Sequence, residues 1–100
     1  MPNKNYLKGR RFEYKVIKEL RSYGFFVVRQ AKSAFPDIVA VQKPAKNKPH
    51  IVVIECKTTG RLSKKEKRAL RNFRAIDIKP YLAYPVRDGR HVLVKLKEIF

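Results

Sequence analysis

Acidic residues are scarce in this chain: eight Asp and Glu stand against 25 Lys and Arg in 100 residues, a formal charge of +17 at neutral pH. That imbalance argues against a surface of matched ion pairs and predicts a polyanionic partner, nucleic acid before any other. A thermophile-type enrichment would bring Glu along with Lys, and Glu is scarce here. Cysteine is reduced to Cys56, so an internal disulfide is impossible, and a lone thiol in an apolar run reads as core filler. His50 and His91 stand apart from any Cys or second His at zinc spacing, so a structural zinc site is not expected. No apolar run approaches the ~18 residues of a membrane span, and MPNKNYLKGRRFEYK lacks the apolar segment of a secretory signal. An intracellular, cytoplasmic chain with no membrane partner is therefore expected. Tryptophan is absent, and Tyr6, Tyr14, Tyr23, Tyr81 and Tyr84 form no stacking array, so the tyrosines read as packing. With no repeat, low-complexity tract or linker, residues 1–100 read as a single domain.

The apolar residues that are present fall into seven elements. Phe12, Val16, Ile17 and Leu20 recur at helical spacing between about Leu7 and Tyr23, with Lys and Arg opposite and Gly24 as the stop. Glu13 lies at the margin of that buried stripe, where a helix faces a sheet edge. Phe25–Gln30, Pro36–Gln42 and His50–Thr58 read as strands, with KPAKNKP as a polar turn between the last two. Ser63 followed by Glu66 is a capping box that opens a second helix, with Leu62, Ala69, Leu70 and Phe73 as its apolar stripe. Its other face carries Lys64, Lys65, Lys67, Arg68, Arg71 and Arg74. Only Glu66 offsets them, which favours a phosphate-facing surface over a self-paired one. Pro80–Val86 and His91–Lys95 close as a hairpin around Asp88-Gly89. Glu98, Ile99 and Phe100 are expected to cap the sheet edge or to contact a partner.

The chemistry-bearing residues cluster in PDIVAVQKPAKNKPHIVVIECK. Strand side chains alternate faces, so Glu55 and Lys57 share one face with Ile51 and Val53, while Val52, Ile54, Cys56 and Thr58 share the other. If the strand beginning near Asp37 pairs with this one, Asp37 reaches the same sheet edge. Two carboxylates beside an ammonium suit a hard divalent cation, which prefers oxygen, with the Cys56 carbonyl between Glu55 and Lys57 as a further donor. Such an ion activates water and offsets charge on a phosphate, and Lys57 can orient the water or stabilise the transition state. Metal-assisted phosphodiester hydrolysis follows. The plainer reading is a solvated strand edge with a weak surface pair.

The segment KGRRFEYKVIKELRSYGFFVVRQAKSAFPDIVAV, followed by IVVIECK, resembles the archaeal-type Holliday junction resolvases of the PD-(D/E)xK nuclease superfamily. The match runs from Lys8 to about Thr58, and more loosely beyond. The resemblance implies an α/β fold, with a central mixed five-stranded sheet flanked by helices as in restriction endonucleases. It makes Glu13 the helical glutamate that completes a metal site with Asp37, Glu55 and Cys56. The implied catalytic set is Glu13, Asp37, Glu55 and Lys57. It also places Arg29 at the end of the first strand and Ser33 in the loop before the catalytic aspartate. Tyr14 departs from the pattern, since the family often has arginine directly after the helical glutamate. The chain is also short for the family, as if its C-terminal half were trimmed, which suggests a viral or phage source as an alternative to a cell.

What the resemblance implies is a homodimeric, Mg²⁺-dependent endonuclease, with Mn²⁺ able to substitute, that binds four-way junction DNA and cuts two opposing strands symmetrically. No small-molecule substrate is expected. Arg10, Arg11, Arg29, Lys32, Ser33, Lys64, Lys65 and Arg68 are the candidate DNA-backbone contacts. Two other readings stay open at this point: a nuclease of the same superfamily acting on another DNA structure in repair or restriction, and a noncatalytic DNA-binding protein of the same fold. The intact acids weigh against the second, because carboxylates repel phosphate.

Overall fold

The computed structural model describes residues 4–30, 35–43 and 50–100. Helix α1 (Lys4–Ser22) buries Phe12, Val16, Ile17 and Leu20, as their spacing predicts. It begins earlier than expected because its first turn, polar apart from Tyr6 and Leu7, carries no apolar period to mark it. Its end is chemically explicit. Gly24 has φ 91°, its N–H donates to Arg21 O at 3.0 Å, and Phe25 N–H reaches back to Leu20 O at 3.2 Å. A residue with a β-carbon is disfavoured in that left-handed conformation, so the chain turns there into the sheet.

Strands β1 (Phe26–Arg29), β2 (Ile38–Val41), β3 (Ile51–Cys56), β4 (Ile78–Asp88) and β5 (His91–Glu98) form one sheet in that order. All neighbours are antiparallel except β3 and β4. A parallel pair needs a crossover, and α2 (Lys64–Arg71) supplies it. The KPAKNKP turn lies largely outside the described residues, from 44 to 49.

The centre of the sheet packs on both faces. On one, Val27, Ile38, Ala40, Val52, Ile54 and Ala83 pack with the α1 stripe. On the other, Val53 and Leu82 pack with Leu70 of α2 and Ile99. The assignment of alternate β3 side chains to opposite faces is therefore realised. The hairpin strands are longer than the sequence pattern suggested. Pro80 and Pro85 interrupt the β signal of one, and the charged ending of the other hides its last residues, but pairing overrides these weak propensities. Gly89, at φ 62°, makes the turn. Glu98 and Ile99 are tied to the segment after α2: Arg74 donates to Glu98 Oε2 at 2.9 Å and to Ile99 O at 2.6 Å, and Ile99 N–H donates to Pro80 O at 3.0 Å. They prolong the pairing of β5 with β4, and Phe100 beyond them is largely exposed.

Candidate nuclease site

The register that sets Ile38 opposite Ile54 puts Asp37 across from Glu55, where β2 begins and β3 ends. Asp37 N–H donates to Glu55 Oε1 at 3.2 Å, and Asp37 Oδ2 accepts from Cys56 N–H at 2.9 Å. The Asp37 carboxylate thus takes the acceptor position that a strand carbonyl would otherwise fill. Among the described residues Glu55 is the buried charged side chain, 6% exposed. Burial, reinforced by the hydrogen bond and charge of Asp37, pushes its pKa up to about 8, while Lys57 works in the opposite direction.

Lys57 Nζ lies 3.7 Å from Glu55 Oε2 and is ion-paired with Glu66 Oε2. The Glu66 hydrogen bond is the main reason the ammonium is held above the usual lysine range. Glu66 has a second task. Its Oε1 accepts from Ser63 N–H at 2.9 Å, and its own N–H donates to Ser63 Oγ at 3.1 Å, closing the capping box of α2. Partial burial works to raise the Glu66 carboxyl, but the hydrogen bonds from Lys57 and Ser63 outweigh it and hold it low. Sequence reasoning found Glu66 as a cap and missed it as the anchor of Lys57. The one available cue was the short link from Lys57 to Ser63, which keeps the first turn of α2 beside the end of β3.

Glu13 approaches from the α1 side, and its Oε2 accepts from Arg29 Nε at 2.8 Å. Its charge acts on the Cys56 thiol, as does that of Asp37. Among the described residues, however, no three His, Cys, Asp or Glu side chains converge as a metal-ligating group. The structure therefore brings Asp37, Glu55 and Lys57 together and leaves Glu13 at the rim, engaged by an arginine of the neighbouring strand. Burial pushes the Cys56 thiol well above its ordinary range, which makes it a packing group.

Tyr14, which departs from the resolvase pattern, sits between two guanidiniums. Arg10 Nη2 donates to its hydroxyl at 3.1 Å, and Arg10 and Arg29 each place Cζ 5.5 Å from the ring centroid. The hydrogen bond from Arg10 is the main cause of a lowered phenol pKa. Positive charge is thus gathered around a ring where the family pattern has an arginine. Arg11, Lys64, Lys65 and Arg68 are exposed. Lys32 and Ser33 lie outside the described residues.

The donor set suits a hard divalent cation. Asp37 and Glu55 offer only oxygen, stand side by side, and leave a buried carboxyl whose ionisation needs a compensating positive charge.

A mixed sheet with one helix-bridged parallel pair, carrying two acids and a lysine where β2 and β3 adjoin, defines a nuclease of the restriction-endonuclease-like class. The family model of the archaeal Holliday junction resolvases (Hjc) matches residues 4–96. The solved structure of Hjc from Archaeoglobus fulgidus, a Holliday junction resolvase from an archaeal hyperthermophile, aligns with a TM-score of 0.66 at 29% identity, covering 92% of this chain and 73% of that one. No curated protein matches. The chain belongs to the archaeal Holliday junction resolvase family. With the family come endonuclease activity, Holliday junctions as substrate and use of a divalent metal.

Proposed function

We propose that this chain resolves four-way junctions as a homodimer, hydrolysing one phosphodiester in each of two opposing strands with Mg²⁺ as its metal. The observation that carries the reading is the hydrogen-bonded pair Asp37 and Glu55 with Lys57 beside it. Asp37, Glu55 and the Cys56 carbonyl would hold the ion, with Glu13 completing the set from the rim. When bound, the cation offsets charge developing on the scissile phosphate and acidifies water. Lys57, fixed by Glu66, orients the attacking water and stabilises negative charge in the transition state. Arg10, Arg29, Lys32, Ser33 and the cations of α2 seat the backbone, so recognition is by shape and phosphate position.

The homodimer rests on symmetry. Two incisions related by a two-fold axis call for two matched sites, and one chain carries one. The sheet face opposite α1 offers apolar surface for such an interface: Phe26 and Val28 are exposed there beside partly buried Val39 and Val41.

The test is cleavage of equimolar four-way junction, duplex and flap DNA with Mg²⁺. Paired symmetric nicks confined to the junction are expected. Asp37→Asn and Glu55→Gln should abolish cutting by at least ~10³-fold, with junction affinity unchanged or higher. Loss of binding in step with cutting would make these residues structural, and preferential cleavage of another DNA structure would reassign the substrate.

A further inference from the structure

Strand β3 ends at Cys56, opposite Ala83, but β4 and β5 continue beyond it as a two-stranded arm out to the pair Asp88 and His91. Between this arm and the N-terminal half of α1 lies a groove of about 380 Å³. Its helix wall is Lys8, Arg11 and Lys15, spaced so that all three project from one flank of α1. That flank is turned away from the one bearing Glu13 and Tyr14. The arm contributes Arg87 to the other wall. Phe12, Pro85 and Val92 supply apolar lining, and Thr58, the residue after Lys57, connects the groove to the catalytic edge.

Among the described residues, four cations line this groove and no carboxylate does. Like charges held together repel one another, and a polyanion relieves that repulsion. Cationic walls with apolar lining also match a strand that alternates anionic phosphates with the carbon faces of sugars. We infer that the groove is a second DNA-backbone site, taking the strand that leads away from the scissile phosphate past Thr58. The inference rests on the junction-cleaving reading above and adds a path for the DNA on the side of α1 away from Glu13.

The experiment removes charge while keeping the aliphatic stems: Lys8→Met, Lys15→Met and Arg87→Met together, with Lys18→Met, Arg21→Met and Lys97→Met as a control set outside the groove. Junction affinity is measured without divalent ions over a range of salt concentrations. Removing three phosphate contacts should flatten the slope of log K against log salt by about 2 to 3. Single-turnover cutting at saturating enzyme should change by less than about threefold. An equal loss of slope from the control set would reduce the effect to net charge and overturn the inference. In a second measurement, Arg87→Cys carries an iron-chelate cleaver on the junction. Cuts confined to a few nucleotides on one side of the scissile phosphate support the path, while cuts scattered over all arms refute it. If the triple variant loses its melting transition, the Arg87→Cys result decides alone. A wild-type chain that binds duplex and junction equally and cuts neither would instead refute the junction-cleaving reading itself, and the groove with it.

Discussion

Glu55 sets the energetics of the site. A carboxyl whose pKa rises on folding keeps its proton longer in the folded chain than in the unfolded one. Its contribution to stability is therefore complete below about 4.5 and is lost as pH rises to about 8. The melting temperature of the chelator-treated protein should fall across that interval. Glu55→Gln should flatten the fall, and adding Mg²⁺ at the upper end should raise the melting temperature of wild type but not of the variant. A wild-type profile that rises between those limits would contradict the assigned burial. Much of this residue-level picture was legible in the sequence, because period-2 alternation and one register suffice to place Asp37, Glu55 and Lys57 together. The Arg29 contact to Glu13 was not, because side-chain pairing across elements depends on rotamers that no spacing rule specifies.

At the scale of elements, α2 ties the lysine to the fold. Its cap and the Lys57 ion pair share one carboxylate, so Glu66→Ala should act twice. It should cost about 0.5 to 1 kcal/mol of stability through the lost Ser63 N–H bond, the reciprocal half of the capping box, and lower turnover more than junction affinity through the released ammonium. Glu66→Gln keeps an acceptor for Ser63 N–H and removes the charge. Its melting temperature should stay near wild type while turnover falls, and a turnover equal to wild type would show that Lys57 needs no such anchor. The capping box, the Gly24 stop and the Asp88-Gly89 turn were all readable because each is local chemistry. The lengths of β4 and β5 were not, since two prolines and a charged ending carry a weak β signal that only neighbouring strands override.

For the whole molecule, charge governs behaviour, and so does the two-fold symmetry of the proposed dimer. The chain carries +17, so junction affinity should drop steeply with salt, by ~10³ between 50 and 200 mM if about six phosphates are neutralised. The expected species in sedimentation has twice the 11.8 kDa mass of one chain. A monomer that nicks one strand per encounter would contradict the paired-incision model. The polyanionic partner was legible from composition alone, whereas the groove was not: Lys8, Arg11 and Lys15 meet Arg87 only because the sheet brings the hairpin arm beside α1. The hydrogen bond from Cys56 N–H to Asp37 has a practical corollary. One amide proton of the central sheet is hydrogen-bonded to an oxygen of the proposed metal site, so its resonance tracks how much electron density that oxygen retains. In a chain without tryptophan fluorescence, that single nuclear signal is a built-in gauge of occupancy at the cutting edge.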